Sequence, residues 1–304
     1  MNQQEKGRRI GFIGLGNMGG RMTRCLVAAG LNVAGYDADA SRASAVGATA
    51  GVSVSAVTEA ADVILLSLPD SHVVEAVVEG ADGILANCRD GQIVIDLSTA
   101  AASSTMRLHK LFAARGVAYI DAGISGGAAA AEKGSLTLMV GGDAAAIESV
   151  AWVFAPIASK VVVMGESGAG HTTKLLNNFL NAVSLAASAE VMVAGKKAGL
   201  DLHKLLDVLN SSSGVNFATQ NRFPKIVDGD YLEGGLTSKL MTKDVVLYLD
   251  RVRELGVSSL NSAGPLACFG LATALGYGDK ISNRVVDAIG DVSGGIRLNS
   301  QEKK

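Results

Sequence analysis

Several groups of residues in this chain have types and spacings that can do chemistry. Gly14, Gly16 and Gly19 fall in the spacing G-x-G-x-x-G within Ile10-Gly11-Phe12-Ile13-Gly14-Leu15-Gly16-Asn17-Met18-Gly19. The first glycine of such a set permits a tight turn. The second lets backbone approach a pyrophosphate, and the third lets a helix pack closely on the preceding strand. The loop through Leu15, Asn17 and Met18 and the helix start behind it turn free N–H groups and a positive dipole end toward phosphates. Asp37 ends the next strand-like run, Asn32–Tyr36. A carboxylate there accepts hydrogen bonds from ribose hydroxyls and repels a 2′-phosphate. The expected ligand is NAD in preference to NADP, with Arg42 close enough to soften the preference.

A second group is Ser125-Gly126-Gly127, after the strand-like Ala118–Asp121. A hydroxyl beside two unobstructed backbone N–H groups suits a substrate carboxylate; a plain flexible loop is the competing reading. Thr99 follows the run Ile93–Asp96 and can reach a ligand or cap a helix. Leu68-Pro69 follows Val63–Ser67 at the corresponding end of another strand. A third group lies in Gly168-Ala169-Gly170-His171-Thr172-Thr173-Lys174-Leu175-Leu176-Asn177-Asn178. Lys174 and Asn178 are four apart and share a helix face, and Asn181 continues it. A lysine among so many apolar neighbours is costly unless it is used. Desolvation makes an ammonium easier to deprotonate, so such a lysine can exchange a proton with a substrate oxygen. On the residues alone, a surface lysine laying its stem along the helix start stays open. His171 is expected to be solvated or to cap the first turn. His72, His109 and His203 are expected at the surface.

The elements that must position these residues follow from the pattern. Strand-like runs at Arg9–Ile13, Asn32–Tyr36, Val63–Ser67, Ile93–Asp96, Ala118–Asp121, Leu136–Val140 and Val161–Met164 alternate with helical stretches such as Met18–Ala29 and Val73–Glu79. That alternation predicts βαβ crossovers and a largely parallel, doubly wound sheet. After the break Gly165–Gly170 comes a proline-free helical run, His171–Ala198, then helical segments at Leu202–Leu209, Thr242–Leu255, Ala263–Leu275 and Asn283–Ile289. The fold class is α/β: a Rossmann-type domain over residues 1–165, then an all-α domain over 166–304 led by a long helix. Phe217, Phe223, Tyr231, Met241 and Tyr248 are expected in the second core, with Phe217 or Phe223 able to wall a pocket. Trp152 is expected to pack.

Composition narrows the function classes. Hydrophobic residues make up 48% of the 304, ample for two cores, and the net charge of −2 gives no footprint for nucleic acid. No secretory signal or membrane span is read in the sequence. Cys25, Cys88 and Cys268 have neither disulfide nor zinc spacing, which suggests a reducing cytoplasm. No His/Cys/Asp/Glu cluster has metal spacing.

Taken together, GFIGLGNMG, DAGISGG with GSLTLMVGG, GAGHTTKLLNN and the Lys239–Leu249 segment containing Lys243-Asp244-Val245 resemble the β-hydroxyacid dehydrogenase family over nearly the whole chain. The resemblance implies a dimer or tetramer. It implies that Lys174 is the catalytic acid/base and Asn178 orients substrate. It also implies that Ser125, Gly126 and Gly127 hold the acid end, that Lys243 comes to cofactor and substrate, and that Leu68, Pro69 and Thr99 line the cofactor. Gly123 and Ile124 stand where the family commonly has proline and valine, a change expected to loosen the loop. Val245 replaces a leucine. The function expected is hydride transfer between NAD(H) and a small, 3-hydroxyisobutyrate-like β-hydroxy acid. One alternative is NADPH-dependent reduction of small aldehyde acids (tartronate, succinic or sulfo-substituted semialdehydes). Another is a nucleotide-binding sensor or scaffold without catalysis, which the presence of Lys174, Asn178 and Lys243 argues against.

Overall fold

The computed structural model describes residues 7–299. Contacts divide the chain into two compact units, one ending at Lys174 and the other beginning at Leu175.

The first unit is built on one eight-stranded sheet in the order β3-β2-β1-β4-β5-β6-β7-β8. The strands are β1 (Ile10–Ile13), β2 (Val33–Tyr36), β3 (Thr49–Ala50), β4 (Val63–Leu66), β5 (Ile93–Asp96), β6 (Ala118–Ser125), β7 (Leu136–Gly141) and β8 (Ala158–Gly165). Neighbours run parallel except β6 and β7, which are antiparallel. Two-residue β3 is absent from the sequence reading because it carries no apolar run; its residues are exposed and it pairs only with β2.

The apolar runs of β1, β4 and β5 are buried along their whole length, as parallel strands between two helical layers must be. Side-chain alternation divides them between two cores. Ile10, Phe12, Val63, Leu65 and Ile95 join one, and Ile13, Ile64, Leu66 and Val94 join the other. Each such residue contributes about 1.5–3 kcal/mol by leaving water. A polar residue at Ile64 or Leu65 would unseat one layer. Strand order reverses at β1, which has β2 on one side and β4 on the other. The loops after β1 and β4 therefore flank the crevice where open α/β sheets take ligands.

The second unit is helical, with segments at Leu202–Asn210, Phe217–Asn221, Phe223–Val227, Ser238–Glu254, Ala263–Ala272 and Val285–Val292, besides most of the long helix Ala169–Lys197. That helix starts two residues before the predicted His171. Its buried residues Leu175, Phe179, Ala182, Leu185, Ala186, Ala189 and Met192 recur at helical spacing and line one core. Phe223, Tyr231, Met241 and Tyr248 are buried as predicted, but Phe217 is 59% exposed. It is the first residue of a five-residue helix behind the N-cap Asn216, and it turns outward, its ring 5.7 Å from the Arg222 guanidinium carbon, while Ala218 and Thr219 of the same helix are buried. Trp152 is buried in the first unit's core. Among the described residues, no helix is long and apolar enough to cross a membrane.

Candidate active site

The glycine loop after β1 has three different reasons for its three glycines. Gly14 lies at φ +91°, and a Cβ there would meet the Ser67 carbonyl oxygen at 2.4 Å. A Cβ at Gly19 would stand 1.9 Å from the Gly14 carbonyl oxygen, so the helix Gly19–Ala28 approaches too closely for any side chain. Gly16 is unlike both. A Cβ there would find only Arg42 Nη1, at 3.6 Å. The space over its backbone is therefore open, which is what a pyrophosphate requires. A cavity of about 300 Å³ adjoins it, lined by Leu15, Gly16, Asn17, Arg21 and Arg42 among others. These residues fit a dinucleotide.

Asp37, just past β2, is held in place by backbone. Leu15 N donates to its Oδ2 at 2.7 Å and Asp39 N to its Oδ1 at 2.9 Å. Arg42 Nη1 lies 3.4 Å from Oδ2. At the next strand ends, Leu68 N donates to Ser98 Oγ at 2.9 Å, tying the loop after β4 to that after β5. Pro69 is exposed and Thr99 partly so. The following helix begins at Ala102 and its N-cap position is Ala101 rather than Thr99.

Ser125 is not in a loop. It is the last residue of β6 and pairs with Thr137 of β7. Gly126 and Gly127 turn the chain at φ +126° and +67° into the helix Gly127–Glu132, and both are exposed. Gly123 does not loosen this segment, because it is paired with Met139 inside the strand. A Cβ at Gly123 would lie 2.6 Å from Lys174 Cβ and 3.1 Å from the Gly170 carbonyl oxygen. The glycine thus brings the Lys174 stem directly against β6, two residues from Ser125.

The start of the long helix is fixed by a residue the sequence reading passed over. Asp121, wholly buried on β6, accepts from Gly168 N on Oδ1 and from His171 N on Oδ2, both at 2.8 Å. A carboxylate on these first N–H groups satisfies orphan donors and opposes the dipole's positive end. His171 is not solvated. It is 1% exposed, with Nδ1 2.7 Å from Thr105 Oγ1 and Nε2 3.3 Å from the Asp96 carbonyl oxygen. Tyr119 donates to Asp96 Oδ2 at 2.9 Å. Burial, and then that carboxylate, push the Tyr119 hydroxyl well above the ordinary phenol range, so it stays a donor. His109 is half-buried rather than at the surface. Strand register alone places Asp96 beside Asp121, and no local motif announces it.

In the second unit, Asn178 Nδ2 donates to Asp244 Oδ2 at 2.5 Å. Lys243 Nζ stands 3.2 Å from Asp244 Oδ1, at ion-pair distance though outside hydrogen-bond geometry. Asp244 is 1% exposed. It joins two of the predicted residues, Asn178 and Lys243, and fixes the amide's orientation. The sequence signal for it was a carboxylate next to Lys243 on the buried face of an amphipathic helix.

A doubly wound sheet with a glycine loop at its switch point, followed by a helical half, defines a two-domain pyridine-nucleotide oxidoreductase. Residues 9–165 match the model of the NAD binding domain of 6-phosphogluconate dehydrogenase, and residues 168–288 match that of the NAD-binding domain of NADP-dependent 3-hydroxyisobutyrate dehydrogenase. The chain is 35% identical over 286 residues to a 2-(hydroxymethyl)glutarate dehydrogenase of Eubacterium barkeri, covering 93% of this chain and 95% of the relative. It is 35% identical to a NAD-dependent L-serine dehydrogenase of Pseudomonas aeruginosa, over 90% of this chain and 95% of that one. The structure of Mycobacterium tuberculosis 3-hydroxyisobutyrate dehydrogenase with L-serine superposes with a TM-score of 0.85 at 30% identity, covering 94% of this chain and 99% of the other. The chain belongs to the β-hydroxyacid dehydrogenase family and is an NAD(P)-dependent oxidoreductase acting on CH–OH groups.

Proposed function

We propose that this enzyme reversibly oxidises a primary alcohol β to a carboxylate, using NAD, with Lys174 as general acid/base. The observation that carries the reading is the seat of Lys174. Its stem lies against Gly123 of β6, two residues from Ser125, on a helix whose start is fixed by buried Asp121. 2-(Hydroxymethyl)glutarate, serine and 3-hydroxyisobutyrate, named in several relatives, share one unit, HOCH2–CH–COO⁻, and differ in the group on the middle carbon, whereas the L-threonate of two others carries its β hydroxyl on a secondary carbon. Ser125 Oγ and the N–H groups of Gly126 and Gly127 hold the carboxylate. Asn178, oriented by Asp244, holds the hydroxyl oxygen in line, which is a positioning effect. The nicotinamide, when bound, accepts or returns the hydride. As the C–H bond breaks and C=O forms, Lys174 Nζ takes the hydroxyl proton; in reduction it gives that proton back to the carbonyl oxygen. Gly14, Leu15, Gly16, Asn17, Met18 and Gly19 receive the pyrophosphate, Asp37 the ribose, and Leu68, Pro69, Thr99 and Lys243 the nicotinamide half.

Replacing Lys174 by Ala lowers kcat by about 10²–10⁴, the usual worth of a positioned acid/base, while NADH affinity stays within a few-fold. Near-normal turnover in that variant would sink the role. The place of Asp37 supports NAD over NADP. Arg42, beside both Asp37 and the space over Gly16, supports the second reading, NADPH-dependent reduction of an aldehyde acid. The ratio of kcat/KM with NADH to that with NADPH decides between the two. A homodimer or homotetramer working in the cytoplasm completes the proposal, and light scattering gives the oligomeric state.

A further inference from the structure

The arginines described in the helical unit differ in one respect. Arg251, Arg253, Arg284 and Arg297 each stand within ion-pair distance of a carboxylate: Glu254, Asp250, Asp287 and Asp291 respectively. Among the described residues, no carboxylate pairs with Arg222. It sits between the helices Phe217–Asn221 and Phe223–Val227, partly buried. Its Nη1 donates to Asn283 Oδ1 at 2.9 Å and its Nη2 to Asn181 Oδ1 at 3.0 Å. The exposed Phe217 ring lies 5.7 Å from the guanidinium carbon. Both acceptors are neutral amides, and withdrawal from water without a compensating charge pushes the guanidinium down to about 10. Two of its five N–H donors are used by these amides. A guanidinium withdrawn from water and short of a counter-charge gains most from a carboxylate, which it grips with two parallel hydrogen bonds.

The position gives that carboxylate a source. Asn181 follows Asn178 by three residues in one helix, a rise of about 4.5 Å, so the two amides are neighbours on adjacent turns. We propose that Arg222, with Asn181 and Asn283, is a subsite for a second carboxylate on the substrate, so that β-hydroxy acids with an acidic group on the middle carbon are preferred over those with a methyl. The proposal rests on the reading of Asn178 as the group holding the substrate hydroxyl. A short acidic side chain on the middle carbon runs from Asn178 toward Asn181 and meets the guanidinium there, with the Phe217 ring beside its methylenes.

The test uses the full chain, as wild type, Arg222→Gln and Arg222→Lys. kcat/KM is measured for 2-(hydroxymethyl)glutarate and for 3-hydroxyisobutyrate, and thermal shifts are measured with glutarate and with inorganic phosphate. The diacid-to-monoacid ratio of kcat/KM falls roughly 10–100-fold in Arg222→Gln, as losing a hydrogen-bonded charge pair predicts, and partly recovers in Arg222→Lys. Glutarate stabilises the wild type more than phosphate does, and more than it stabilises Arg222→Gln. A common fall for both substrates in both variants would mean that Arg222 only braces Asn181 to Asn283, and would overturn the subsite. So would glutarate stabilisation that is absent in the wild type or no better than that by phosphate. If the wild type oxidises neither acid, the substrate reading under Proposed function has failed, and the glutarate shift in wild type against Arg222→Gln still decides the subsite.

Discussion

The two units hold their candidate residues by different means. In the first unit the candidate residues rely on backbone: an open face at Gly16, exposed glycines at Gly126 and Gly127, and carboxylates gripped by N–H groups at Asp37 and Asp121. In the helical unit, most backbone is consumed by the helices, and the bonds around the candidate residues run side chain to side chain: Asn178 to Asp244, Arg222 to Asn181 and Asn283, Tyr231 to Asp287. Strand ends leave N–H groups to spare, and helix interiors leave none. A site of the first kind depends on chain geometry and tolerates no added carbon. One of the second kind depends on pairs of groups in an apolar surround, where losing one member strands the other.

Substitutions in the two units should therefore fail differently. The largest effect is expected at Gly19→Ala. Its methyl would stand 1.9 Å from the Gly14 carbonyl oxygen, and backbone must move, costing about 3 kcal/mol at the upper end of overpacking losses. NADH affinity by fluorescence titration falls with it, at least about tenfold; an unchanged affinity would break the idea that the loop is geometry-limited. Next comes Asp244→Ala, which leaves the Asn178 amide without its acceptor. It costs about 1–3 kcal/mol in chemical denaturation, with kcat reduced by a larger factor than NADH affinity. Equal losses in both would show that the division between the units is false. The smallest effect is Gly270→Ala, inside the helix Ala263–Ala272, where a Cβ meets nothing within 4 Å. There the gain in helix propensity stabilises by about 0.5–1 kcal/mol, read as a rise in Tm at unchanged kcat/KM.

The same division explains what could be read from the chain. The glycine loop, the strand alternation and the helical second half are local patterns set by backbone conformation and by the periods of two and 3.6, so neighbouring residues reveal them. The departure at Gly123 was legible, but its meaning was not. It predicted a looser loop, whereas the structure keeps Gly123 paired in β6 because β7 returns antiparallel alongside it. His171 looked like an exposed first-turn residue, since its burial depends on Thr105 and Asp96, both distant in sequence. Phe217 looked like core because apolar type forecasts burial on average, whereas packing decides which face of a short helix turns inward, and here it is that of Ala218 and Thr219.

By itself, then, the sequence determined the class of fold, the place of the glycine loop and the pairing of Lys174 with Asn178 on one helix face, because each depends on residues within a few turns or strands of one another. Tertiary structure alone decided what holds those residues still. Asp121 reaches the helix start across 47 positions and Asp244 reaches Asn178 across 66. A contact at that separation is set by how whole elements pack, and nothing local in the chain encodes it.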